Sequence, residues 1–338
     1  MSNQCLPILV FCALPASGKS ETRRYLKSLS KEQTEKFHLG ETSTQVDDYP
    51  YVDAMYKIDD ASKRILGEPI FFNPATKILD GWEYGVLTFL INDDYFDIKK
   101  CNPKIPSRFE KDPVEWLFNR YDVAAVKTGH MTARFFELRK KHGEEKFNEF
   151  KKAVEPLCST ILHEKYANIP TSLEGKTIVF EFARGGPKGS SFPLKEPYGY
   201  EYTLSLFDKE ILEKAAILYI WVTPEQSFQK NRQRAQEGLE GKSQTVSTQL
   251  SLNHGVPDNV MNMDYGTDDI DYLVNKTEGK NVLPINKDDE IINVRCGRFD
   301  NRTDLTSDFR KPQKDWTEEQ IKKMEEAMVK AFDALLIA

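Results

Sequence analysis

Histidine and cysteine are scarce in this sequence, five of each among 338 residues. The histidines (His38, His130, His142, His163 and His254) show no H-x-x-x-H or comparable ligand spacing, which argues against a zinc site built on them. The cysteines (Cys5, Cys12, Cys101, Cys158 and Cys296) are odd in number and scattered, with no C-x-x-C pair, so they suit reduced thiols and not a disulfide framework. No stretch approaches the roughly 18 consecutive apolar residues of a membrane-spanning helix. The apolar run Leu6–Pro15 has no Lys or Arg before it, so it lacks the basic region of a secretory signal and reads as a buried strand. Internal repeats, low-complexity tracts and a G-x-S-x-G nucleophile elbow are also missing. These absences lead us to expect a cytoplasmic chain with no membrane partner.

The composition supports a sizeable core, with 39% hydrophobic and 11% aromatic residues against 30% charged. The formal charge of −6 conceals an asymmetry: residues 40–98 hold 12 acidic and 4 basic side chains, whereas residues 99–170 hold 15 basic and 10 acidic.

Leu6–Cys12 is a continuous apolar run of the type that fills a central parallel strand, and helix formers follow from Lys19 to Leu29. Further strands are expected between Phe37 and Val46, over Lys176–Phe182, over Ala215–Val222, and at either Asp271–Asn275 or Val282–Ile285. A helix should open at Pro224 behind a Thr223 cap, and another after Trp316, capped by Thr317 with Gln320 three residues on. Phe147, Phe150, Val154, Leu157 and Ile161 share one helical face, with a kink expected at Pro156. Strands separated by helices argue for an α/β fold with a parallel sheet. The long stretch between the second and third strands is too long for a connector and reads as an inserted helical subdomain. We therefore expect a core made of residues 1–50 and 171–290, a helical insert over 51–170, and a C-terminal extension over 291–338 ending in an amphipathic helix.

Ala13-Leu14-Pro15-Ala16-Ser17-Gly18-Lys19-Ser20 fits the phosphate-binding pattern G-x-x-x-x-G-K-[ST], with Ala13 in place of the first glycine. Backbone N–H groups ahead of a helix can cradle a phosphate, Gly18 permits close approach, Lys19 reaches the β/γ-oxygens, and the Ser20 hydroxyl is a ligand for Mg2+. The residues expected on the nucleotide are Leu14, Pro15, Ala16, Ser17, Gly18, Lys19, Ser20 and Glu21. The guanine-reading motif N-K-x-D is only approached, by Asn275-Lys276-Thr277-Glu278, so ATP is the expected cofactor together with Mg2+.

With this loop between a buried strand and a helix, the sequence resembles the P-loop kinases, the branch of P-loop NTPases that holds nucleoside monophosphate kinases and zeta-toxin-like kinases. The resemblance covers about half the chain and implies a three-layer fold with a five-stranded parallel sheet. It implies that Asp47 or Asp48 orients an acceptor hydroxyl or holds the magnesium shell, although both also read as an acidic turn before Pro50. It implies a magnesium-associated acid at Glu181, which alternates with Phe180 and Phe182 and reads equally as a residue of a polar sheet face. It implies a transition-state arginine at Arg232 or Arg234, which lie two apart on a helix and so point to different sides, a solvated face being the other reading. Arg184, heading the glycine-rich loop 184–190, reads evenly as a clamp on an acceptor phosphate and as part of a surface loop.

The function that follows is a Mg-ATP-dependent phosphotransferase acting on a small, anionic metabolite or nucleotide. Two alternatives are a P-loop NTPase that couples ATP hydrolysis to a partner and a kinase of nucleic-acid ends. The basic segment 99–170 is the only support for the last, and its interleaved acids (Glu110, Asp112, Glu115, Glu144, Glu145) argue against a phosphate-tracking groove.

Overall fold

A computed structural model describes residues 5–76, 78–239, 255–278 and 280–335. In chain order the elements begin with β1 (Ile8–Ala13), α1 (Lys19–Ser28), α2 (Lys31–Lys36) and β2 (Gln45–Asp47). Five helices follow: α3 (Tyr49–Ile65), α4 (Glu83–Lys99), α5 (Ser107–Lys111), α6 (Pro113–Lys127) and α7 (Arg134–Ala167). Next come β3 (Ile178–Ala183), α8 (Gly199–Ser205), α9 (Lys209–Lys214), β4 (Ala215–Trp221), α10 (Pro224–Leu239), α11 (Asp258–Asp264) and α12 (Ile270–Asn275). The chain closes with β5 (Val282–Lys287), β6 (Glu290–Asp300) and α13 (Glu318–Ala334). Two compact units result, residues 1–45 with 174–338 and residues 46–173, the division falling inside β2.

The first unit is α/β. Its sheet has the order β2-β3-β1-β4-β6-β5. Strands β3, β1, β4 and β6 run parallel, with Cys12 in register with Phe182 on β3 and Tyr219 on β4. Strand β5 is antiparallel to β6. One face of the sheet (Leu9, Phe11, Val179, Leu218, Ile220, Phe299) packs on Tyr25 and Leu26 of α1 and on Met324, Met328 and Phe332 of α13. On the other face, Phe180 and Phe182 meet Phe207, and Phe182 meets Tyr200 of α8. Both faces are covered, which is why the strands carry near-continuous apolar runs. The arrangement is compatible with a three-layer α/β fold.

Sheet and tail differ from the sequence expectation in two respects. Six strands form among the described residues, not five wholly parallel ones. The added strand is β6, which turns back from β5 through Asp288 and Asp289, both at positive φ (49° and 64°), the conformation of a two-residue hairpin. Over its described residues, 291–335, the C-terminal segment is accordingly no appendage: β6 pairs with β4, and α13 lies on the sheet. Of the two candidates for a last strand, Val282–Ile285 is extended, whereas Asp271–Asn275 lies in α12. Helix starts follow local chemistry. Thr223 and Gln226 exchange hydrogen bonds at the start of α10, and Thr317 and Gln320 do so at α13; each such cap stabilises its helix by about 1 kcal/mol.

The second unit is helical. Phe118 of α6 stacks on Phe135 at 3.6 Å and lies near Phe147 and Phe150, so the phenylalanine stripe of α7 is core. The non-helical residue within α7 is Gly143 (φ 77°), so the break falls there and not at Pro156. Proline can sit inside a helix with the loss of one hydrogen bond, but a left-handed residue cannot continue one. Among the described residues of the whole chain, no helix is long and apolar enough to cross a membrane.

Candidate functional site

The 13–20 loop leaves the C-terminal end of β1 in the middle of the sheet. Ala13 is still in the strand, so alanine serves where the motif has glycine; the left-handed residues are Ala16 (φ 55°) and Gly18 (φ 104°). A Cβ at Gly18 would overlap the Thr306 hydroxyl and lie 2.8 Å from Asn301 Nδ2, so glycine is required there on two counts. Three side chains brought from elsewhere fasten the loop. Tyr200 Oη accepts from the Ala13 N–H and donates to the Ala13 carbonyl, Ser227 Oγ donates to the Pro15 carbonyl at 2.7 Å, and Asn301 Nδ2 donates to the Ser17 carbonyl at 2.7 Å. In a trans peptide the N–H points opposite the preceding carbonyl. The Ala16 and Gly18 N–H groups therefore point away from the Ser227 and Asn301 anchors. The first hydrogen bond of α1 runs from Thr22 N–H to Gly18 O, which places the amides of its first turn at the open end of the helix.

Lys19 and Ser20 follow. The half-buried Lys19 ammonium lies 3.4 Å from the Leu14 carbonyl, while Ser20 is exposed with Oγ 3.4 Å from Glu181 Oε1. Glu181, on β3, is buried and partnered: its Oε2 accepts from Arg23 at 2.9 Å and faces Gln45 Nε2 at 3.5 Å. The alternation with Phe180 and Phe182 thus turns Glu181 toward α1, where Arg23 balances the charge that a covered strand would otherwise not tolerate. Glu21, in the first turn of α1, is buried as well. Arg310 Nε lies 2.8 Å and Arg234 NH2 3.9 Å from Glu21 Oε1. Burial alone would raise the Glu21 carboxyl, but the charges of Arg234 and Arg310 and the Arg310 hydrogen bond outweigh it and hold it below the usual range.

The structure separates the two arginines of α10. Arg234 reaches toward α1, whereas Arg232 is exposed and forms a two-point ion pair with Asp258. Arg232 faces an open groove of about 530 Å3 that it lines with Phe228, Lys188 and Asn262, away from the loop. Arg184 is buried over the Phe182 ring with NH1 on the Ala183 carbonyl, so its guanidinium is not offered at the surface. The glycine-rich segment behind it is no loose surface loop: Gly186 pairs with Thr267, and Lys188 N–H donates to Asn262 O. A Cβ at Gly185 would lie 2.5 Å from the Thr267 carbonyl, which explains that glycine.

Asp47 and Asp48 belong to the second unit. Asp47 ends β2 and its carboxylate accepts from Tyr49 N–H at 2.8 Å, while Asp48 is buried and opens α3, its carbonyl accepting from Tyr51 and Val52. Lys165 Nζ lies 3.4 Å from the Asp47 carbonyl and 2.5 Å from Asp94, above the Tyr51 ring. Asp94 also pairs with Arg120, which is buried and pairs with Asp97 too. The acidic pair is therefore anchored into the charged interior of the helical unit.

The chain matches no known family, curated protein or solved structure.

The chemistry of the first unit is nevertheless specific. Two left-handed residues, outward-anchored carbonyls, a helix N-terminus and an ammonium suit an anion with several oxygens. Ser20 Oγ and Glu181 Oε1 are hard oxygen donors of the kind a divalent cation takes, with other positions left for water or an anion. Among the described residues no three His, Cys, Asp or Glu side chains group to hold a metal. Sequence reading did not find Arg23, Tyr200, Asn301 or Arg310. Arg310 lies 289 positions from Glu21, and no local pattern marks such a pair.

Proposed function

We propose that the protein is a magnesium-dependent phosphotransferase that moves the terminal phosphoryl group of ATP to a small acceptor. The observation that carries this reading is the loop between β1 and α1, with Ala16 and Gly18 left-handed, its carbonyls tied from behind, Lys19 over the Leu14 carbonyl and Ser20 beside Glu181. The sheet order gives it a physical context, since ligands of open α/β sheets bind at the carboxyl ends of the strands. The loop amides and Lys19 would hold the phosphate chain, and Ser20 with Glu181 would hold the cation. A bound magnesium ion would neutralise charge on the β- and γ-phosphoryl oxygens. Of the two α10 arginines, Arg234, which lies near Glu21 on α1, would offset charge developing on the transferred group. The kinase resemblance gives the acceptor hydroxyl to Asp47 or Asp48, which belong to the second unit. The excess of cations over residues 99–170 favours an anionic acceptor, a metabolite or nucleotide.

The test is ADP release from Mg-ATP by the purified protein, measured with panels of nucleosides, nucleotides, sugar phosphates and oligonucleotides. Turnover confined to a small acceptor supports the reading. Hydrolysis at an enzyme-like rate without any acceptor favours a hydrolytic NTPase, and turnover confined to oligonucleotides favours an end kinase. Lys19→Ala should abolish activity with unchanged thermal melting, and an active Lys19→Ala protein overturns the proposal.

A further inference from the structure

Glu21 is an unusual neighbour for a phosphate. It stands one residue after Ser20, on the first turn of α1, where a helix N-terminus favours negative ligands and where its own carboxylate competes with them. The side chain is only 7% exposed. Its Oε1 is shared by two guanidinium groups from remote parts of the chain, Arg310 from the turn after β6 and Arg234 from α10. Its Oε2 is buried and has no hydrogen-bond partner among the described residues. A buried carboxylate oxygen without a partner is costly, so this one calls for an explanation.

Arg310 is held at both ends. Its side chain reaches Glu21, while its backbone carbonyl accepts from Arg24 NH1 at 2.7 Å, with the Phe309 carbonyl at 3.2 Å from the same nitrogen. Glu21 and Arg24 are on α1 itself, so the helix that presents the amides of the loop also aims this guanidinium. Guanidinium groups donate to carboxylate and phosphate oxygens alike, and here both arginines converge on the single oxygen Oε1 of Glu21, which makes that carboxylate a stand-in for a phosphoryl group.

We propose that Arg310 is a phosphate-binding residue of this site, held together with Arg234 on Glu21 until the phosphate chain of a nucleoside triphosphate takes the two arginines over. The inference rests on the nucleotide reading above and deepens it. Glu21 is then a resident competitor: it keeps two cations ordered beside the loop and lowers the affinity for any anion that must displace it. This arrangement differs from a purely structural ion pair in the sign of one effect. Neutralising a structural partner loosens the arginines and weakens anion binding, whereas neutralising a competitor strengthens it.

The test is calorimetric titration of the full-length protein with inorganic tripolyphosphate, for the wild type, Lys19→Ala, Glu21→Gln, Arg310→Lys and Arg310→Met, each with a thermal melt to show that it is folded. Glu21→Gln should bind about tenfold tighter and Arg310→Met about tenfold weaker, with Arg310→Lys between Arg310→Met and the wild type. Weaker or unchanged binding by a folded Glu21→Gln overturns the proposal, as does unchanged binding by Arg310→Met. Should Glu21→Gln not fold, the competitor role is overturned, because the carboxylate is then structural. Failure of the underlying reading looks different: the wild type binds no tripolyphosphate, or Lys19→Ala binds it as well as the wild type does.

Discussion

The hydroxyl of Tyr200 lies 2.7 Å from the Ala13 amide nitrogen and 2.9 Å from the Ala13 carbonyl oxygen, so one phenol closes the end of β1. The same oxygen lies 3.2 Å from the Arg184 amide at the end of β3. A phenolic hydroxyl has one proton to give and room for two donors, and all three are engaged here. Two parallel strands are thereby held in step at the point where both chains leave the sheet for the segments around the site. The phenol is fully buried, and burial first of all pushes its ionisation well above the ordinary tyrosine range.

Tyr200→Phe should therefore be costly despite its near-identical shape. It leaves the Ala13 and Arg184 N–H groups buried without their acceptor, a penalty of about 1–3 kcal/mol. Urea unfolding should show the midpoint lowered with the slope unchanged. A midpoint equal to that of the wild type would mean that water replaces the phenol and that the three hydrogen bonds do not hold the strand ends.

Gly18→Ala tests the loop itself. At φ 104° an alanine is strained, and its Cβ would run into Thr306 and Asn301; Asn301 Nδ2 anchors the Ser17 carbonyl and donates to the Thr306 hydroxyl. The expected result is a loss of roughly 2 kcal/mol or more in stability together with loss of any phosphate binding by the loop. Asn301→Ala removes the anchor without the clash and should weaken the same binding, while leaving the Ser17 carbonyl and the Leu305 N–H unpaired. Equal affinity for tripolyphosphate in Gly18→Ala and the wild type would show that the loop conformation is not what binds anions.

The strand, loop and helix over residues 8–28 were readable because each signal is local: an apolar run, a glycine, a helix stripe. The Thr223–Gln226 and Thr317–Gln320 caps were readable for the same reason. Strand β6 was not. Only its second half is covered, so Glu290–Asp300 mixes charged and apolar residues, and its Gly297 makes sense only against the Ala331 backbone of α13. The segment Asp271–Asn275 carries strand-like residues, yet Asp269 precedes it, taking the Tyr200 and Glu201 amides, and the chain turns helical. In the site, Lys19, Ser20 and Glu181 were marked by a motif and a strand end, but the partners that set their charge balance were not. Arg23 meets Glu181, and Arg310 meets Glu21, across separations that only closure of the sheet removes.

In the helical unit, Arg120 is the residue whose loss should cost most. It donates to Asp94, Asp97, the Leu90 carbonyl and the Tyr51 hydroxyl, and it is almost fully buried. Burial opposes its charge, yet Tyr51, Asp94 and their acidic neighbours keep it firmly protonated. Arg120→Met leaves the Asp94 carboxylate with only Lys165 and the Tyr51 hydroxyl and removes one partner of Asp97, and should destabilise the protein by about 3–5 kcal/mol. Adding Asp94→Leu should recover part of that loss, because the stranded charge is gone. Chemical denaturation of the two single variants and the double variant completes the cycle. Additive losses would show that the pair is not coupled.

Asp268 provides a pH test with a definite sign. Its carboxylate takes both contacts of the Tyr219 hydroxyl at 3.1 Å and the Ile270 N–H at 3.1 Å. Burial, with the adjacent Asp269 charge adding to it, pushes its ionisation up to about 7 against the pull of Ile270, Tyr219 and Arg298. The unfolded chain gives up that proton near pH 3.9. Between about pH 4 and pH 7 the folded state therefore binds more protons than the unfolded one, so this group makes stability fall as pH rises through that window and adds no further change above it. Asp268→Asn cannot ionise, and its side-chain oxygen can still accept from Tyr219 and Ile270. The variant should gain little over the wild type near pH 4.5 and gain progressively up to pH 8, where the difference reaches at most about 4 kcal/mol. Urea unfolding of both proteins at several pH values across this range measures it. A stability difference that does not change between pH 4.5 and pH 8 would show that Asp268 ionises at an ordinary pH in the folded protein.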